Sequence, residues 1–115
     1  AGPGGHGIGP RLVWGDRILR LRAGPNLLGR EGTISLDAPS VSRHHARIRI
    51  HGSRAMLEDL GSKNGTRLNG ERLRGSRELS DGDAISLGAV LLLFRGSTSD
   101  ETTATARRPV GVIEP

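Results

Sequence analysis

Turn-forming residues recur so often in this 115-residue chain that they set the architecture open to it. Gly15-Asp16, Ala23-Gly24-Pro25, His51-Gly52, Asn64-Gly65, Asn69-Gly70 and Asp81-Gly82 all fall between short apolar runs. Each supplies either a residue that tolerates positive φ or a side chain that closes a turn. The runs between them are Leu12–Trp14, Ile18–Leu21, Leu27–Leu28, Thr33–Leu36, Ala46–Ile50, Ala55–Leu60, Thr66–Leu68, Ala84–Leu87 and Val90–Phe94. None keeps helical spacing over the length of a helix. Ala46, Ile48 and Ile50 instead alternate with Arg47 and Arg49, the period-two pattern of a strand with one buried face. Many short strands with frequent turns predict an all-β fold, a sandwich or a barrel.

The pattern covers residues 11–95, which read as one domain. Residues 1–10 are mostly Gly and Pro and read as a disordered linker or an expression remnant, while residues 96–115 shift to Thr, Ala, Pro and charge and read as a disordered tail. A mass of 12.2 kDa supports a single core. With no cysteine there is neither a disulfide framework nor a thiolate metal site, so packing alone must hold the fold, which fits a reducing, cytoplasmic setting. The longest apolar run, Ala89–Phe94, is far short of the ~20 residues that span a bilayer, so no membrane contact is expected. Starting at Ala1, the chain reads as a piece of a longer protein.

A formal charge of +5 and a pI of about 11.4 raise the alternative of a basic nucleic-acid-binding β domain. The distribution argues against it. Arginines alternate with acids and apolar residues, no basic stripe forms, and Trp14 and Phe94 are the only aromatics on which bases could stack.

Three segments carry chemistry. Arg30 follows Leu27-Leu28-Gly29, where a strand runs out into a loop. Ser42-Arg43-His44-His45 precedes the alternating strand. A hydrolase built on Ser42 and His45 lacks a nucleophile elbow and an orienting carboxylate. A metal site on two adjacent histidines fails because strand neighbours point to opposite faces, and which imidazole is buried stays open. Ser62-Lys63-Asn64-Gly65-Thr66 follows the segment Leu57–Leu60, and the two Asn-Gly pairs enclosing Thr66–Leu68 read as a small hairpin arm. Asp81-Gly82-Asp83 is expected to be a plain turn rather than a calcium loop. Together Arg30, Ser42, Lys63 and Asn64 offer a guanidinium fork, a hydroxyl, an ammonium and a carboxamide, the donors an oxyanion or an extended peptide needs. No nucleophile with a matched base accompanies them, so binding rather than catalysis is expected, with no metal and no cofactor.

The ordered set Gly29-Arg30, Ser42-Arg43-x-His45-Ala46, Asp59–Thr66, Leu68-Asn69-Gly70, Asp81-Gly82-Asp83 and Leu87-Gly88 closely resembles the forkhead-associated domain, over roughly residues 11–95. The resemblance implies an antiparallel, eleven-stranded β-sandwich whose loops at one end bind phosphothreonine peptides. It implies that Arg30 and Ser42 bind the phosphate, that Arg43 and Lys63 add contacts to it, and that Asn64 holds the peptide backbone. Gly29, His45, Gly65 and Thr66 are implied to structure the loops. The expected partner is then a phosphothreonine-containing protein, with a Ser/Thr kinase upstream and the module set in a larger bacterial signalling protein. In the tail, Thr102 and Thr103 stand beside Asp100 and Glu101 and are candidate phosphosites. A flexible tail of that length reaches about 15 Å, less than a ~20 Å strand, which favours recognition in trans.

Overall fold

A computed structural model describes residues 9–96. Within them the chain forms eleven strands and no helix: β1 Arg11–Trp14, β2 Arg17–Arg20, β3 Gly24–Gly29, β4 Ile34–Ser35, β5 Ala46–His51, β6 Arg54–Asp59, β7 Thr66–Leu68, β8 Glu71–Arg72, β9 Arg77–Glu78, β10 Ala84–Leu87 and β11 Val90–Arg95. Two sheets result, of order β2-β1-β11-β10-β7-β8 and β4-β3-β5-β6-β9. All the strand pairs are antiparallel save β3 with β4, where Leu28 and Ile34 lie in parallel register. The sandwich expected from the resemblance is therefore the observed architecture, with one parallel pair at its edge. Thr102 and Thr103 lie outside the described residues.

Alternation drives the packing. Ala46, Ile48 and Ile50 of β5 turn inward while Arg47 and Arg49 face out. Leu12, Ile85, Leu87 and Leu92 of one sheet meet Leu28, Ile48 and Leu57 of the other, all fully buried, so the apolar faces hide each other between the sheets. Outside, the five-stranded sheet pairs two of its arginines with acids across strands. Arg47 bonds Glu58, which stands directly opposite it, and Arg54 reaches Glu78 at 3.2 Å.

Several strands depart from the apolar pattern. β3 begins at Gly24 rather than Leu27 because Asn26, which interrupts the run, is buried with its carboxamide satisfied by the backbone of Arg22, Gly24 and Ile48. β8 and β9 are two residues each, all exposed and charged, so hydrophobicity does not announce them. The expected arm between two Asn-Gly pairs is also corrected. Asn69 and Gly70, with φ of 51° and 87°, close a two-residue hairpin joining β7 to β8, but β7 pairs on its other side with β10, and Asn64-Gly65 belongs to the long loop after β6.

Asn69 also uses its side chain, donating to Asp83 Oδ1 at 3.0 Å and accepting from the Ala84 N–H at 2.9 Å. Asp83 caps the Ser80 N–H and Asp81 accepts from the Gly96 N–H, so Asp81-Gly82-Asp83 is a hydrogen-bonded turn. The β10–β11 turn lies at one end of the sandwich; Arg11 and Arg95, paired on β1 and β11, lie at the other.

Asn69→Gly keeps the left-handed backbone but removes both side-chain bonds, at an expected cost of about 1–2 kcal/mol. Asn69→Ala should cost roughly 1 kcal/mol more because alanine resists positive φ. Urea unfolding midpoints of the two variants check the order; equal midpoints would show that the turn carries no conformational strain.

Candidate functional site

Three connections meet at the end of the sandwich that holds the β10–β11 turn: the bend after β3, the long β4–β5 loop, and the β6–β7 loop. Their backbones are stitched together. Arg30 N–H donates to Ser42 O at 3.1 Å, and Glu31 N–H to Arg43 O at 3.0 Å. This approach requires glycine at 29, since a Cβ there would collide with the Arg43 carbonyl.

His45 joins the second and third connections. The chain bends at Arg43-His44 before β5 begins, so His44 stays exposed while His45 and Ala46 are both buried. That settles which imidazole is inside. Ser42 N–H donates to His45 Nδ1 at 3.0 Å, so the ring proton sits on Nε2 and is donated to Gly65 O at 2.9 Å. The bond to Ser42 runs from its backbone, not its hydroxyl, so there is no serine–histidine nucleophile pair. Ser42 Oγ instead accepts the Lys63 N–H at 3.0 Å.

Asp59 ties the β6–β7 loop into a knot. Its Oδ2 accepts the Gly61 and Ser62 N–H groups at 2.9 and 3.0 Å, and its Oδ1 accepts the hydroxyls of Ser62 and Thr66 at 2.5 and 2.7 Å. Ser62 Oγ in turn accepts the Gly65 N–H at 2.9 Å, where Gly65 has a φ of 84°. Burial would push the Asp59 carboxyl up, but the bonds from Ser62, Thr66 and Gly61 outweigh it and hold the group below its ordinary value of 3.8. The sequence motifs alone give Asp59 and Ser62 no role of their own, although serine and threonine three and seven residues after an aspartate are a usable signal for such a turn.

Between these connections lies a cleft of about 130 Å³ lined by Arg30, Pro39, Ser40, Val41, Ser42, Lys63 and Asn64. Four donors expected from sequence thus converge. Arg30 is held by one nitrogen only, Nε donating to Val41 O at 2.6 Å, and forms no ion pair among the described residues. Asn64 Nδ2 donates to Ser40 O at 2.8 Å, and Ser40 Oγ accepts the Ala89 N–H at 2.9 Å, fastening this wall to the β10–β11 turn. Nothing in the sequence marks Ser40 for this place. Arg43 is outside the cleft: its side chain is 71% exposed and lies 3.9 Å from Glu31.

Asp59 sets an acid limit on this arrangement. Its folded-state value is depressed, so its stabilisation is present above pH ~4 and is lost as pH falls through the lower folded value. Asp59→Asn should therefore destabilise the domain at pH 7, with the gap to the parent narrowing as pH drops below about 4. Urea titrations at both pH values check this; a gap independent of pH would show that the carboxylate's charge is not what holds the loop.

The family model described as the FHA domain matches residues 26–88. The chain is 40% identical to the FHA domain-containing protein FhaA of Mycobacterium tuberculosis, over 69% of this chain but 15% of that protein. To the glycogen accumulation regulator GarA of Mycolicibacterium smegmatis it is 33% identical, over 83% of this chain and 69% of the relative. A solved structure described as a structural and functional analysis of phosphothreonine-dependent FHA domain interactions superposes with a TM-score of 0.72 at 36% identity, covering 76% of this chain and 96% of that one. A β-sandwich of this topology, with stitched loops at one end and a family match across both the site and the core, makes this chain a member of the forkhead-associated (FHA) domain family.

Proposed function

We propose that the cleft binds phosphothreonine within an extended peptide, making the domain a non-enzymatic, cytoplasmic module for phosphorylation-dependent protein–protein contact, set in a larger bacterial protein. The single observation that carries this reading is the convergence of Arg30, Ser42, Lys63 and Asn64 on one small cleft. The phosphothreonine-dependent interactions of the structurally similar FHA domain support it.

The chemistry matches residue by residue. A phosphothreonine brings about −1.5 to −2 charges and three acceptor oxygens. Arg30, anchored by Nε, keeps its terminal nitrogens for a forked contact. Ser42 has accepted from Lys63 N–H and so retains its own hydroxyl proton to donate. Lys63 contributes its ammonium. Asn64 spends one N–H on Ser40 and keeps its carboxamide oxygen for a peptide N–H. Arg43 can contribute through its exposed side chain only if it swings away from Glu31. Because the loops are already tied to the sandwich, little ordering cost falls on binding. A Ser/Thr kinase acting on the partner supplies the switch.

Matched phosphorylated and unphosphorylated threonine peptides, titrated by calorimetry, test the reading; equal affinity for both would reject it. Arg30→Ala should weaken phosphopeptide binding about 30-fold or more with little change in melting temperature. Binding should also weaken below pH ~6 as the phosphate takes up its second proton. Arg30-independent binding with a steep salt slope on unrelated DNA duplexes would instead mark a polyanion site.

A further inference from the structure

The two outer faces of the sandwich differ in a way the cleft does not explain. On the five-stranded sheet, Glu58 and Glu78 answer two of the three outward arginines, Arg47 and Arg54, while Arg49 faces Met56 and Pro25. On the six-stranded sheet no acid stands opposite an arginine. Cross-strand register sets three rows on its outer face. One is Arg20–Arg11–Arg95, the next Ile18–Val13–Leu93–Ala84, and the third Leu91–Ser86–Arg67–Arg72. Five arginines and no carboxylate occupy these strand positions, with the Arg72 guanidinium leaning towards Gly65 at the loop end and the other four set on the sheet. Only Arg95 has an acidic neighbour among the described residues, Asp81, at 3.0 Å in a geometry too bent for a hydrogen bond. Ile18, 60% exposed, and Leu93, 37% exposed, lie in the middle row and Leu91, 62% exposed, heads the third; these are the exposed large hydrophobics of the described domain.

We infer that this face is a second docking surface, for an acidic amphipathic helix of a partner protein. Such a helix carries an apolar stripe with carboxylates along both flanks. The dimensions suit it. Successive rows lie about 7 Å apart along the strands, so a helix about 10–12 Å across, laid over the apolar row, sets its flanks above the arginines on either side. Charge complementarity selects that occupant: a second copy of this chain would bring arginines against arginines, and nucleic acid would find no aromatic platform, since Phe94 is buried and Trp14 packs toward the core. The surface is separate from the cleft, which uses loop residues.

The test titrates the full chain with a synthetic helical peptide of about 18 residues bearing a leucine stripe flanked by glutamates, beside a version with lysines in their place. The glutamate peptide is expected to bind and the lysine peptide to fail. Affinity should fall about tenfold in the Ile18→Ser, Leu91→Ser double variant and measurably in Arg20→Glu. Arg30→Ala and a saturating phosphothreonine peptide should leave it unchanged. All three substituted positions are exposed, so an unaltered melting curve shows that the fold is intact. Equal binding of both peptides, or none, overturns the inference. So does binding only to anionic vesicles or DNA, or a dimer by sedimentation that dissolves on Leu91→Ser.

Discussion

One buried imidazole holds the business end of this domain in register. His45 accepts the Ser42 N–H on one ring nitrogen and donates to Gly65 O from the other, so two loops that sequence separates are fixed at a constant distance. A group with no exposed surface and both nitrogens engaged leaves little slack; stranding either backbone partner costs about 1–3 kcal/mol. Everything nearer the cleft builds on that spacing. Ser42 Oγ can meet Lys63 N–H, and Asn64 can meet Ser40 O, only if the loops stand where His45 puts them. The histidine thus shapes the cleft without lining it.

Much of the fold was legible because alternation is a local signal. Ala46 to Ile50 declared both its strand and its buried face, and Asn69-Gly70 declared a left-handed turn. What escaped notice depends on distant partners. Asn26 looks like a loop residue until the backbone groups that satisfy it are known, and one of those, Ile48 O, belongs to another strand. The exposed strands β8 and β9 exist because neighbouring edges offer hydrogen bonds, not because their own residues seek burial. Asn64-Gly65 has the same composition as Asn69-Gly70 but a different fate, since the Asp59 knot takes it into the long loop. The four cleft donors could be named from the ordered motifs. Their company could not: Ser40 and Asp59 act by hydrogen bonds to partners that only the folded loops bring within reach.

Net charge says little here until register is known. Of the seventeen basic side chains from Lys and Arg, some are neutralised by a facing glutamate and others stand on a face with none. Composition counts them alike. The sheets sort them, and that sorting sets most of the paired arginines on one outer face and a row without facing acids on the other.

Strands β1 and β11 run antiparallel, with Arg11 facing Arg95 at a Cα separation of about 5 Å. Polypeptide therefore enters and departs through adjoining doorways, at the pole remote from Ser40 and Lys63. A unit wired in this manner could be spliced into a host chain at almost any surface bend without prying its flanks apart. The cleft would then face away from the point of insertion.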